Sequence, residues 1–230
     1  MATSPLSLCY EVKINNMLRI ETHVFNAFQV NTYLIINEHE DCLVIDPAFY
    51  SPEEVRTFDR YIASKGLQII GQLNTHCHVD HVLGVRHMQT SYNCPLRAHP
   101  EEENLLKNAP LMGEIYGLQL EPLSGIDKPI QEDEIISIGE DSLKAILVPG
   151  HSPGSLSFYS PDSGFVVTGD ALFQGSVGRT DLPGGDFDTL ITSIRNKLLI
   201  LPRETTVYPG HGDPSTIGEE ALNNPFLSMA

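Results

Sequence analysis

Short runs of branched and apolar residues, broken by polar and turn-forming ones, set the rhythm of the first quarter of the chain. Leu18–Phe25, Thr32–Ile36 and Cys42–Ile45 each predict a strand. The period then changes. Val55, Phe58, Tyr61 and Ile62 fall at helical spacing. Ser51 and Glu54 make a capping-box pair, Pro52 takes the first helical position, and Gly66 supplies the stop. Leu67–Leu73 reads as a buried strand, and residues 84–91 and 101–107 as short helices.

The second half repeats this logic. Strands are predicted at Glu134–Ile138, Leu143–Val148, Leu156–Tyr159, Phe165–Val167 and Thr205–Tyr208. Phe187–Leu201 is an amphipathic segment with Leu190, Ile191, Ile194 and Leu198 on one face, and Pro202 ends it. Strand groups separated by helices in each half predict an α/β fold of two sheets packed face to face, with helices on the outer faces.

Charge narrows the function classes. The 230 residues hold 14 basic and 30 acidic side chains, a net charge of −16. Such a chain repels phosphate backbones, so no nucleic-acid partner is expected. No apolar run approaches the roughly 18 residues of a membrane helix, so no membrane partner is expected either. Residues 1–16 lack the basic start and long apolar core of a secretory signal and are expected to form an extension ahead of a domain at 17–230. The cytoplasm is the expected compartment. Cys9, Cys42, Cys77 and Cys94 fit no zinc-ribbon or redox spacing and are expected to be reduced thiols.

The chemistry concentrates in Thr75-His76-Cys77-His78-Val79-Asp80-His81, with three imidazoles and a carboxylate. This donor set suits zinc, iron or manganese. His76 and His78 are two apart, so an extended segment points both to one side. Cys77 points the other way and is not counted as a ligand. Three further apolar strands run into single potential ligands: 146–150 into His151, 165–169 into Asp170, and 207–210 into His211. Glycines 150, 169 and 210 would let backbone turn tightly beside a crowded site. Of the other histidines, His87 and His99 read as surface or helix-end residues, and His23 and His39 as structural. Glu101–Glu103 is expected to cap a helix after Pro100 and face water.

These motifs resemble the metallo-β-lactamase superfamily: HCHVDH, PGHSPGS, TGDALF, YPGHG, and Val44-Ile45-Asp46-Pro47 ahead of them. The resemblance runs from about Leu18 onward. It implies an αββα sandwich of two mixed β-sheets with a dinuclear metal site at one edge. It assigns His76, His78 and His151 to one metal and Asp80, His81 and His211 to the other, with Asp170 bridging and Asp46 supporting the site from behind. Two divalent ions are implied, zinc first, with iron or manganese as alternatives. Their charge of about +4 loses two units to Asp80 and Asp170 and one to a bridging hydroxide.

Within the superfamily the chain resembles glyoxalase II-like (hydroxyacylglutathione hydrolase-like) enzymes of the small, single-domain bacterial kind, and the C-terminal helical domain of the two-domain enzymes is not expected. The activity implied is hydrolysis of a small anionic thioester by a metal-bound hydroxide, the thiolate departing without a proton. Arg179 matches a basic residue that helps hold glutathione in the two-domain enzymes, where a tyrosine stands at the position of Asp181. Its other reading is a structural ion pair with Asp181 or Asp186. The alternative activity is that of a mononuclear non-haem iron persulfide dioxygenase, in which His76, His151 and Asp170 hold a single Fe2+. A true β-lactamase fits less well, because a leaving nitrogen usually needs a proton. A non-enzymatic metal-binding module is the third class.

Overall fold

The computed structural model describes residues 17–228. Cys9 and the expected extension at 1–16 lie outside the described residues. The first half runs β1 (Arg19–Phe25), β2 (Val30–Ile36), β3 (Asp41–Ile45), α1 (Pro52–Lys65), β4 (Gln68–Leu73), α2 (Val85–Ser91), β5 (Leu96–Arg97) and α3 (Glu103–Ile115). The second runs β6 (Ile135–Ile138), β7 (Asp141–Leu147), β8 (Leu156–Ser160), β9 (Phe165–Gly169), β10 (Leu172–Phe173), β11 (Ser176–Val177), α4 (Phe187–Ser193), β12 (Thr206–Pro209), β13 (Ser215–Thr216), α5 (Ile217–Asn223) and α6 (Pro225–Ser228).

Two mixed sheets result, with orders β1-β2-β3-β4-β5 and β13-β12-β9-β8-β7-β6. The step from β3 to β4 is parallel and crosses over through α1, while β9 pairs parallel with β12. The alternation of β2 explains the layering. Tyr33 and Ile35 face the other sheet and meet Phe158 and Val167, whereas Leu34 and Ile36 face outward and meet Phe58 and Ile62 of α1. Both faces of the strand are therefore buried, which is why it reads as one apolar run. On the opposite side Val166 and Val207 pack under Leu190, Ile194 and Leu198. Helix, sheet, sheet and helix form the four layers of the expected αββα sandwich. Among the described residues no helix is long and apolar enough to cross a membrane.

Local signals fix the elements. Both bonds of the Ser51/Glu54 capping box form, and Gly66 closes α1 at φ +67°. Most strand boundaries shift by one or two residues, and two segments change more. The helix expected at 101–107 becomes a turn at Pro100–Glu102 followed by α3 as far as Ile115. Asn108 and Pro110 weigh against helix there, but burial of Leu106, Ala109 and Gly113 outweighs them. The amphipathic segment at 187–201 is α4 followed by a π-helical stretch, Ile194–Leu198.

Candidate metal centre

The C-terminal ends of β4, β7, β9 and β12 lie along one edge of the sandwich and lead into His76–His81, His151, Asp170 and His211. Cross-sheet hydrogen bonds fix this edge. Leu156 N–H donates to the Thr75 carbonyl (2.7 Å), and the Tyr33 hydroxyl donates to the Pro209 carbonyl (2.5 Å). Asn31 Nδ2 donates to Pro209 and Gly212 carbonyls on either side of His211 (3.0 and 2.9 Å). Close approach demands glycine at 210: a Cβ there would lie 2.0 Å from Asp170 Oδ1.

Hydrogen bonds behind the ring of histidines determine which nitrogens face inward. His151 Nδ1 donates to the Arg179 carbonyl (2.7 Å) and His211 Nδ1 to the Phe28 carbonyl (3.0 Å), because a carbonyl can only accept. Asp46 accepts from Thr75 N–H and Oγ1 (both 2.7 Å) and from His81 Nδ1 (3.0 Å). The Thr75 hydroxyl spends its hydrogen on Asp46, so His76 Nδ1 donates to that oxygen (3.0 Å). Four Nε2 atoms are left pointing into one small space. Asp46 thus lies behind His81, its oxygens engaged.

Two donor groups emerge. His76, His78 and His151 converge, with His151 Nε2 at 3.3 Å from His76 Nε2 and 2.8 Å from His78 Nδ1. The 3.3 Å spacing suits two nitrogens on one tetrahedral ion at about 2.0–2.1 Å. Asp80, His81 and His211 form the second group. Asp170 lies between them: Oδ1 is 3.4 Å from His81 Nε2, and Oδ2 is 3.7 Å from His151 Nε2 and 3.5 Å from His211 Nε2. Asp170 Oδ1 and His78 Nε2 are buried without a hydrogen-bond partner. Inward-facing imidazole nitrogens, converging carboxylates and an orphaned carboxylate oxygen fit bound cations.

The two halves differ in protonation. Burial, then repulsion from neighbouring imidazoles, holds His76 well below the ordinary histidine value and His78 down at about 4; burial lowers His151 too. For His81 and His211 burial opposes the charge, but Asp170 and Asp80 outweigh it, raising His81 well above its usual value and His211 to about 9. Burial likewise works against the Asp170 carboxylate, yet the facing histidines hold it well below the usual range.

A cleft of about 400 Å³ opens onto the centre. Phe28, Met112, Tyr116, Phe173 and Leu182 line it with apolar surface, and Arg179 stands at its rim. The Arg179 guanidinium forks onto Asp181, both contacts at 2.7 Å, with each side chain more than half exposed. Asp186 instead caps α4 through Thr189 N–H (2.7 Å). Cys77 is buried with Leu106 and Ala109 of α3, on the side away from the donors. His99 caps the Pro100–Glu102 turn, His87 bonds Asp59, and His23 packs on Tyr61.

One expectation fails. Glu102, placed in a water-facing acidic run, is fully buried. The turn at Pro100 rotates it inward, where it accepts from Cys77 N–H, Ser152 Oγ and Gly154 N–H, each at 2.7 Å. Its neighbours Glu101 and Glu103 stay at the surface or half-buried. No periodicity over three residues could separate them.

The sequence matches the family model of the metallo-β-lactamase superfamily over residues 25–211. It is 39% identical over 202 residues to the probable metallo-hydrolase YqgX of Bacillus subtilis, covering 87% of this chain and 93% of the relative. It is 35% identical over 213 residues to the hydroxyacylglutathione hydrolase GloC of Haemophilus influenzae, covering 92% and 99%. Among solved structures, the BLEG-1 B3 metallo-β-lactamase superposes with a TM-score of 0.84 at 31% identity, covering 91% of this chain and all of that one. TTHA1623 in a di-iron-bound form superposes at 0.80 with 36% identity, covering 90% and all of that chain.

Proposed function

The chain belongs to the metallo-β-lactamase superfamily, and from that membership we propose that it is a metal-dependent thioester hydrolase acting on a small, anionic, hydroxyacylglutathione-like substrate. The observation that carries the reading is the composition of the cleft. Among the described residues, its only titratable side chains beyond the candidate ligands are Tyr116 and Arg179. Apart from the Tyr116 phenol, no carboxyl, histidine or lysine among the described residues that line the cleft is left over to protonate a leaving amine. A thiolate needs no such proton, since thiols are far more acidic than amines. This favours a thioester over the amide of a β-lactam.

Bound at this site, divalent cations would supply Lewis acidity and an ionised water at neutral pH. His76, His78 and His151 would hold one ion, and Asp80, His81 and His211 the other, with Asp170 between them. Asp46 fixes the ring of His81 through its Nδ1, and the Arg179 carbonyl does the same for His151. Phe28, Met112 and Tyr116 exclude water from the acyl group. Arg179 would take the anionic end of the substrate, exchanging its fork on Asp181 for the substrate carboxylate. The similarity to a hydroxyacylglutathione hydrolase across nearly the whole of both chains supports the substrate class.

A second reading has its own support. His76, His151 and Asp170 form a two-histidine, one-carboxylate face, the donor set of non-haem iron oxygenases, and one similar solved structure holds iron. The assay is thiol release from S-lactoylglutathione beside oxygen uptake with glutathione persulfide. Metal-dependent thiol release without oxygen uptake is the expected result. Oxygen uptake with no thiol release would give the site to the dioxygenase.

A further inference from the structure

Glu102 is a fully buried carboxylate that forms no ion pair with a lysine or arginine among the described residues. It stands on the turn ahead of α3 and spans two other segments. Oε2 takes the backbone N–H of Cys77, between His76 and His78. Oε1 takes the Ser152 hydroxyl and the Gly154 N–H, one and three residues after His151. The first segment hangs from β4 and the second from β7, on opposite sheets. Gly154 permits the contact, since a Cβ there would sit 3.0 Å from Glu102 Cγ and Oε1 and 2.9 Å from His99 Nδ1.

We propose that Glu102 is a positioning residue for the three-histidine half of the centre, a clamp that sets the distance of His151 from His76 and His78. The inference rests on the metal-centre reading above. The clamp is selective. His81 and His211 are held by other groups: Asp46 and Asn74 for His81, Asn31 and the Phe28 carbonyl for His211. Glu102 touches neither. Only a carboxylate suits the position, because two of its three partners are backbone N–H groups that must donate. A glutamine would turn its amide nitrogen toward Cys77 N–H or toward Gly154 N–H, and one of them would lose its acceptor in either orientation. Misplaced supports of this kind typically cost about 10- to 100-fold in metal affinity.

The test is zinc titration of chelator-stripped protein against a competing chromophoric chelator, on the wild type, Glu102→Gln and Ser152→Ala. The same titration in a His211→Ala background identifies the three-histidine half. Thermal melting of the metal-free proteins is the second readout. Glu102→Gln is expected to weaken the three-histidine half about 10- to 100-fold and leave the other half at its wild-type affinity. Ser152→Ala, which removes one of the three contacts, should weaken the same half by less, and it keeps the proposal testable if the glutamine variant does not fold. Unchanged affinity in both variants overturns the clamp. So does an equal loss at both halves that tracks a fall in metal-free melting temperature. A wild type that binds no zinc would instead overturn the metal-centre reading itself.

Discussion

Asp46→Asn alters one atom behind His81, and its effect can be followed bond by bond. Asp46 is fully buried and accepts three hydrogen bonds, from Thr75 N–H at Oδ1 and from Thr75 Oγ1 and His81 Nδ1 at Oδ2. Its φ of +51° is tolerated by asparagine, so the backbone need not move. The amide oxygen must stay at the Oδ1 position, because a backbone N–H only donates. The new NH2 therefore lands at Oδ2 and faces His81 Nδ1. The Thr75 hydroxyl can turn to accept; the imidazole can accept only by giving up its Nδ1 proton. The hydrogen that the neutral ring keeps then sits on Nε2, the nitrogen facing Asp170 at 3.4 Å and Asp80 at 3.8 Å. An Nε2 carrying hydrogen cannot bind a cation. The loss of a charge-assisted bond is about 1.5–3 kcal/mol. The matching loss of affinity is about 10- to 100-fold at the Asp80/His81/His211 half. Competition titration with zinc reads the affinity, and long-range proton–nitrogen NMR reads the His81 tautomer. Wild-type affinity with Nδ1 still protonated would refute the reasoning.

Three more outcomes follow from the site. Cys77→Ser should leave metal content unchanged by elemental analysis, since the thiol packs against α3; loss of metal would make it a ligand. Arg179→Ala should raise KM for an anionic thioester about 5- to 10-fold, the low end for a charge-assisted contact because the guanidinium is exposed, with Arg179→Lys recovering part. A neutral thioester of the same acyl group should be indifferent, and Asp181→Asn should lower KM for the anionic one; equal losses on both thioesters would return Arg179 to a bracing role. Among the side chains of the site, metal uptake at pH 7 should take protons only from the Asp80/His81/His211 half, beside the proton lost by an ionised water. His211 with its value near 9 and the raised His81 are protonated there in the metal-free protein, whereas the lowered His76, His78 and His151 are neutral. Calorimetry in buffers of different ionisation enthalpy measures this, and release of protons by a His211→Ala variant equal to that of the wild type would contradict it.

Much of this molecule was legible because its signals are local. Ser51, Pro52, Glu54 and Gly66 mark both ends of α1 within sixteen residues, and apolar runs mark strands buried on both faces. The candidate donors stood out because each segment that carries them follows a strand, and strand ends share an edge once the sheets stack. Long-range geometry was not legible. Nothing in Glu101-Glu102-Glu103 says which carboxylate turns inward; that is decided by Cys77, Ser152 and Gly154, between 25 and 52 positions away. The choice of Asp181 over Asp186 for Arg179 likewise depends on the path of a glycine-rich loop. Helix α5 was missed although Thr216 and Glu219 carry an N-terminal signal, with Thr216 Oγ1 accepting from Glu219 N–H (3.2 Å). The extent of α3 was set by burial against the sheet edge, which overrode Pro110.

In the proposed function, Asp170 joins two metal-binding halves into one hydrolytic centre. Metal content per chain by elemental analysis tests it most directly, measured on the wild type, Asp170→Ala and His211→Ala purified without added metal. Two ions are expected in the wild type, one in His211→Ala, and loss of tight binding at both positions in Asp170→Ala, because that carboxylate faces His81, His151 and His211 at once. Two tightly held ions in Asp170→Ala, or none in the wild type, would contradict it.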